Sequence, residues 1–487
     1  MSSIIIICFV LYTVTLFAVT RLSTRRSVVN DESFFRANKK SPWLVVAYGG
    51  IGAALSGVTF MSVPGFVHSS AFTYFNVVLG NMIGYFIIAL ILLPLYYKLN
   101  LTSIYLYLNQ RLGCWAQRTG SSFFFLSRLL GSALRMYIVI FVLYEFAFKA
   151  MGIPFWIPAF IFILIILLYT LQGGIRVIIW TDTLQTTFLL SATLLTIYYI
   201  LNNVDMTFIS LLKESTAEGY TKMIENDWRA GNFYIKQIIS GIFLTIALNG
   251  LDQDLIQKNL SCKNLKDAQK NVFVLSISLI VVNLIFLTLG AALLYYAKTT
   301  GFVLPSNPDS IFPAIAFSLS DVTMVFFIIG LLAAGYSSAD GTLTALTTVV
   351  CYDFLGFDNE NNEKLDEKRR TKMRKIVHVG CAFLFFCVII IFRPFHDQSL
   401  IKMLFDIAAL SYGPLLGMFC FGLFTNRKIS GAHEKYIPVV AILAPAICYL
   451  MKIYSEEILF GYKFGFELLI LNGLLTFLGL IALSVRR

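Results

Sequence analysis

Charge is scarce in this chain. Only 13% of its 487 residues are Asp, Glu, Lys or Arg, against 58% hydrophobic and a mean hydropathy of +0.77. A soluble globule needs a far more charged surface, so the chain reads as an all-α polytopic membrane protein. Histidine is scarcer still, with four residues at 68, 378, 396 and 433, no HExxH and no pair at helical spacing. The eight cysteines carry neither CxxC nor Cys/His metal spacing. Cys8, Cys351, Cys381, Cys387, Cys420 and Cys448 lie in or beside apolar runs, where they read as packing residues. A metal-dependent enzyme has no visible centre, and no nucleophile, base and oxyanion donor converge at a recognisable spacing. We therefore expect no enzyme and no cofactor. A charged leader and a small-residue cleavage site are missing from the first residues, so residues 1–20 read as a retained transmembrane helix and not as a signal peptide.

Acidic residues are outnumbered, 27 to 38, for a formal charge of +11. The excess sits in short loops between apolar runs, as expected of cytoplasmic segments, and forms no nucleic-acid-binding patch. Residues 21–40 carry Arg21, Arg25, Arg26, Arg36, Lys39 and Lys40 against Asp31 and Glu32, which assigns that loop to the cytoplasm and the N-terminus to the outside. Spans are expected at 43–67, 72–97, 121–148, 152–171, 177–201, 234–254, 272–298, 322–350, 376–392, 398–424, 435–452 and 465–484, about thirteen with the first. Alternation then places Lys98, Arg111 and Arg118, the lysines at 258, 263, 266 and 270, the basic run 364–375, Arg427, Lys428 and the terminal Arg486 and Arg487 inside. The outer loop 202–232 is balanced in charge. The expected location is a bacterial inner or plasma membrane, with lipid as the surrounding partner and the C-terminus in the cytoplasm.

Two spans carry residues that break helices. The first, 43–67, holds Gly49, Gly50, Gly52, Ala53, Ala54, Ser56, Gly57, Thr59 and Ser62 before Pro64 and Gly65. The second, 234–254, passes through Ser240, Gly241, Asn249 and Gly250 into Asp252 and Asp254. A helix unwinds within a membrane only where its freed backbone groups line a cavity or meet protein. The two interruptions open successive five-helix blocks, 43–201 and 234–424, the arrangement of an inverted-repeat transporter with a midplane site. Residues 435–487 supply further C-terminal helices.

The stretch 331–345, LLAAGYSSADGTLTA, is the most informative. Ala334, Ser337, Ser338 and Gly341 fall on one helical face, small and oxygen-bearing, where a neighbouring helix can approach and a cation can find hard ligands. Small residues and serines also serve simply to pack membrane helices. Asp340 beside them is costly unless paired, solvated or functional. Asp182 either caps a helix N-terminus or faces Asp340 or the serines and helps hold a cation. Arg135 is mid-span, and either pairs with an internal acid or offers its planar fork to an anionic solute. Arg128, two turns earlier, reads as structural. Among the many aromatics, Phe60, Phe72 and Tyr74 lie near the broken spans and are candidate pocket walls.

Several strings resemble one family, the sodium/solute symporters, whose members carry sugars, proline, pantothenate, iodide and sialic acid. LQGGIRVIIWTDTLQ (171–185) is similar to that family's signature of a glycine pair followed by W-T-D and Gln. GLDQDLIQKNLSCKN (250–264) resembles its D-Q-x-x-x-Q-R loop, with Lys258 where Arg is usual. SFFRANKKSPWLVVAYGGIGAALSG, TSIYLYLNQRLG and SYGPLLGMFCFGLFTNR match its opening, second-loop and late-helix patterns. The resemblance runs from about Phe34 to Lys428. It implies a leucine-transporter-like inverted five-helix repeat preceded by one extra helix, and a chain that transports as a monomer.

It further implies a sodium held by backbone carbonyls of Gly52, Leu55 and Ala334 and hydroxyls of Ser337 and Ser338. A second cation in some members uses the acid matching Asp182 and hydroxyls one turn beyond the serines. Here Asp340 and Gly341 stand at those later positions, which leaves either an altered cation site or a proton site at Asp340. The implied solute contacts are Ala54, Ser56, Thr59, Tyr74 and Arg135. Arg135 stands where carboxylate-bearing solutes are gripped in sialic-acid-type members, and Ala54 replaces the acid of the proline carriers. The expected function is sodium-coupled symport of a small organic solute, carboxylated by this reading. A neutral sugar or nucleoside-type solute is the alternative, and a transporter-like sensor or an uncoupled facilitator ranks below both.

Overall fold

The computed structural model describes residues 2–24, 31–357, 367–395, 400–429, 431–458, 461–462 and 464–485. Arg25, Arg26, His396, Arg486, Arg487 and the first part of the basic run 364–375 lie outside the described residues.

Helix α1 is Ser2–Thr24. The first expected broken span is two helices, α2 (Trp43–Ala54) and α3 (Gly57–Ser70). The break falls at Leu55 and Ser56, whose backbones are extended (ψ 102° and 170°). Three glycines weaken the end of α2, and the Ser56 hydroxyl restarts α3 by accepting from the Thr59 amide at 3.3 Å. A 3₁₀ turn, Ala71–Tyr74, leads into α4 (Phe75–Ile87), which continues through a π-turn to Lys98. Then come α5 (Cys114–Leu143), α6 (Trp156–Leu171) and α7 (Gly173–Asn203).

Helices α6 and α7 form one run bent at Gly174, whose φ of 52° belongs to glycine. A Cβ there would also lie 2.4 Å from the Phe34 carbonyl oxygen, so both backbone and space require glycine. The second broken span is α8 (Tyr234–Gly250) and α9 (Gln253–Leu260), bent by 66°. Asp252 caps α9, accepting from the Asp254 amide at 2.9 Å. The chain ends with α10 (Leu265–Thr300), α11 (Asp321–Val349), α12 (Glu367–Ile391), α13 (Leu400–Phe424), α14 (Ile437–Ile453) and α15 (Leu468–Leu483). A short antiparallel pair, β1 (Lys428–Ile429) with β2 (Ser484–Val485), ties the chain just after α13 to the chain just after α15.

Among the described residues, eight helices are long and apolar enough to cross a membrane, and nine if the bent α8–α9 pair counts as one span. Shorter apolar helices are α2, α6, α14 and α15. Leu11, Val14, Ile277, Val281, Phe383 and Ile391 face outward, a surface suited to hydrocarbon and not to water.

Helix α11 is the axis of the molecule. Every residue from Gly330 to Val349 is buried, packed among α1, α2, α5, α7 and α12. Glycines set the close approaches around it. A Cβ at Gly52 would stand 2.4 Å from Thr186 Oγ1, and at Gly49 3.0 Å from Asp182 Cβ, so α2 lies backbone-close on α7. Gly80 and Gly241 do the same for α4 against α8, with Cβ positions 2.1 Å from the Ile238 carbonyl and 2.3 Å from that of Val77. Small residues at such contacts let membrane helices pack by dispersion where no hydrophobic drive exists.

Candidate substrate and cation site

A cavity of about 1050 Å³, its open mouth included, lies at the α2–α3 break. Ala54, Ser56, Thr59, Tyr74 and Arg135 all line it. Tyr74 sits in the 3₁₀ turn and not on a helix proper, its ring stacked on Phe66 with 6.3 Å between centroids. Phe60 and Phe72 do not line the cavity; Phe60 packs instead on Phe286, Phe312 and Phe327. Sequence reading missed Asn81, Tyr85, Thr245, Asn249, Ser276 and Asn283, which also line it. Three asparagines inside apolar runs were the available signal, since each must find a partner or a wet space.

Among the described residues, the lining contains two guanidiniums, Arg128 and Arg135, and no carboxylate. Their surroundings differ. Arg128 pairs with Asp252 at 3.3 Å and closely with Asp254, and its Nε donates to Thr342 Oγ1 at 3.1 Å. Tyr412 donates to the same Asp252 at 2.6 Å. Arg135, by contrast, has no carboxylate partner among the described residues, and its Nε is buried without an acceptor. The internal pairing that sequence reading allowed for Arg135 belongs to Arg128.

Asp182 does not cap a helix. It lies in the third turn of α7, accepts from Ser337 Oγ at 2.7 Å and pairs with Lys258 Nζ at 2.8 Å. Lys258, on α9, also reaches Asp254 at 3.4 Å. Asp340 takes different donors: Tyr169 at 2.9 Å, Thr181 at 3.4 Å and the Gly341 amide at 2.6 Å. Asp182 thus faces Ser337, while Asp340 faces the hydroxyls of α6 and α7.

The five residues named for sodium stand on two helices in contact, Gly52 and Leu55 at the end of α2 and Ala334, Ser337 and Ser338 on α11. Helix α2 makes its last intrahelical bond from the Leu55 amide to Ile51, at 2.9 Å. The carbonyls from Gly52 onward therefore lack intrahelical donors, at the negative end of a helix dipole. The Gly52 amide donates to Thr186 Oγ1 at 2.9 Å, and Thr186 in turn donates to the Asp182 carbonyl at 2.8 Å. Asp182 joins this corner to Ser337. Ser338 donates to the Ala334 carbonyl at 3.1 Å. Both serine hydroxyls spend their protons on neighbouring acceptors, which leaves oxygen lone pairs for a cation.

A multi-pass helical membrane protein with two interrupted spans around a buried polar centre is the architecture of a secondary transporter. The chain matches the sodium:solute symporter family over residues 34–433 and belongs to that family. Among its relatives, the sodium/sialic acid symporter SiaT of Proteus mirabilis is 25% identical over 453 residues, 90% of this chain and 87% of the relative. The sodium/sialic acid symporter NanT of Aliivibrio fischeri is 25% identical over 425 residues, 85% and 82% of the two chains. The human sodium/iodide cotransporter is 20% identical over 81% of this chain and 61% of its own length. A solved substrate-bound, outward-open sodium-coupled sialic acid symporter shares the fold, with a TM-score of 0.83 over 99% of both chains at 20% identity.

Proposed function

We propose that this chain is a sodium-coupled symporter of a small carboxylated solute, with the solute in the cavity at the α2–α3 break. The observation that carries the reading is the unmatched guanidinium of Arg135 in a cavity lined by no carboxylate. A carboxylated solute supplies the missing partner, and the fork of Arg135 suits its two oxygens. Relatives named for sialic acid agree with that class.

Sodium is held by the carbonyls of Gly52, Leu55 and Ala334 and the hydroxyls of Ser337 and Ser338. Bound there, it joins the loose end of α2 to α11 and stabilises a cavity open to the outside. Solute affinity then rises with sodium and, reciprocally, sodium affinity rises with solute. Solute closes the outer side, the bundle rocks, and low internal sodium empties the site inward. The full topology in this reading is about thirteen spans, two inverted blocks of five after one extra helix. The N-terminus is outside and the C-terminus cytoplasmic, in a bacterial inner or plasma membrane, and one chain transports alone. No enzymatic step is involved.

The test is thermal stabilisation of the purified protein by sialic acid and by neutral sugars, with and without sodium. Stabilisation by the acid that needs both sodium and Arg135, and disappears in Arg135→Ala, is the expected result. Equal stabilisation by neutral sugars in that variant would assign Arg135 a structural role and the solute to the neutral class.

A further inference from the structure

We infer that residues 218–225, in the loop between α7 and α8, form a strap that holds the Tyr74 wall of the cavity in place, with Asn76 as the positioning residue that fastens it. The inference rests on the reading of this cavity as the solute site and gives that loop a part in solute affinity.

Tyr74 reaches the cavity from the 3₁₀ turn Ala71–Tyr74, an element too short to hold its own shape. The turn also begins under strain. Ala71 has φ 48° and ψ −140°, a conformation that a residue with a Cβ keeps only where its surroundings impose it. Within the turn, the Thr73 hydroxyl donates to the Ser70 carbonyl at 2.8 Å.

The remaining support comes from far along the chain. The Phe72 amide donates to the Lys222 carbonyl at 3.1 Å. The buried side-chain amide of Asn76, in the first turn of α4, donates to the Met223 carbonyl at 2.6 Å and to the Thr73 carbonyl at 3.1 Å. Both hydrogens of that amide are thus spent, one on the strap and one on the turn. Two successive carbonyls of the strap are therefore fastened to residues on either side of Tyr74.

The strap has anchors of its own. Glu218 pairs at 2.5 Å with Lys298, in the last turn of α10. The Glu225 carbonyl accepts from the Tyr234 amide, at the start of α8, at 3.2 Å. Helix α8 brings Thr245 and Asn249 to the same cavity, and α10 brings Ser276 and Asn283. One segment thus joins three of the cavity's walls. Releasing it frees the Tyr74 ring while leaving Arg135 and the carbonyls at the end of α2 untouched, so solute affinity falls and sodium binding alone does not.

Uptake of radiolabelled sialic acid into proteoliposomes, wild type against Asn76→Asp, tests this. The substitution keeps the shape of the side chain, but a carboxylate cannot donate and sets oxygen against both carbonyls. We expect the solute concentration for half-maximal uptake to rise roughly tenfold, as for the loss of one well-placed hydrogen bond. The maximal rate, and the sodium affinity measured without solute, should stay as in the wild type. In a Tyr74→Ala background the same substitution should add nothing, because the wall it positions is gone. An unchanged half-maximal concentration in folded Asn76→Asp, a parallel loss of sodium affinity, or a full effect on top of Tyr74→Ala would overturn the strap while leaving symport intact. No sodium-dependent uptake by the wild type would overturn the symport reading itself, and the strap with it. Asn76→Ala removes the donor without adding charge and serves, on the same criteria, where Asn76→Asp does not fold.

Discussion

At the scale of single residues, the centre is a chain of buried charges rather than a set of isolated ligands. Arg128 is matched by Asp252 and Asp254, and Lys258 by Asp254 and Asp182. Removing one partner strands the others out of water. Arg128→Ala should therefore cost about 3–5 kcal/mol, the penalty for an uncompensated buried charge. A large fall in melting temperature of the purified protein would show it; an unchanged melting point would mean that water reaches Asp252 and Asp254. Ser337→Ala acts differently, removing one oxygen from the proposed sodium site. It should raise the sodium concentration for half-maximal uptake roughly tenfold, since a lost contact of this kind is worth about 1–1.5 kcal/mol. An unaltered sodium dependence would remove Ser337 from the site. The sequence showed that Asp182, Asp340, Arg128 and Arg135 needed explanations, because charge in an apolar run always does. It could not show which acid met which base. Arg128 and Asp254 are far apart in the chain, and only the 66° bend at Leu251–Asp252 brings them together.

At the scale of elements, the breaks were legible and the close approaches were not. Gly49, Gly50, Gly52 and Ser56 announce an interruption by their low helix propensity and capping chemistry, and the structure breaks one residue past Ala54. Asn249 and Gly250 announce the second, which falls immediately after them. Gly174 was read as part of a signature and proves to be a bend, fixed by its positive φ and by the Phe34 carbonyl behind it. The proposed sodium site asks only a backbone carbonyl of residue 52. The structure adds a second demand, because a Cβ there collides with Thr186 Oγ1. Gly52→Ala should consequently displace α2 from α7 and weaken sodium binding more than Ser338→Ala does. Sodium titrations of the two variants side by side would decide this, and equal titrations would mean that Thr186 rotates away freely. The expected span starting at 121 begins at Cys114 instead, since the polar first turns of α5 pack against protein and not lipid.

At the scale of the whole molecule, the number of ions fixes the energetics. The membrane potential contributes about 2.3 kcal/mol per charge per 100 mV. One sodium with one monovalent carboxylate would carry no net charge, so that contribution would vanish and the sodium gradient alone would drive accumulation. With the single sodium site proposed above, clamping the potential with potassium and valinomycin should leave the uptake of a singly charged solute unchanged. A rise in uptake with an inside-negative potential would instead indicate a second sodium per solute. The apolar outer faces and the enclosed α11 together suit a carrier whose work is done at the centre of the membrane, where the polar groups are concentrated.

The central claim is sodium-coupled movement of a carboxylated solute. Its most direct test is uptake of radiolabelled sialic acid into proteoliposomes containing the purified chain, under an inward sodium gradient. The account predicts accumulation above the bath concentration that collapses when a sodium ionophore is added and is absent in Arg135→Ala. Equal uptake under a potassium or choline gradient would contradict it.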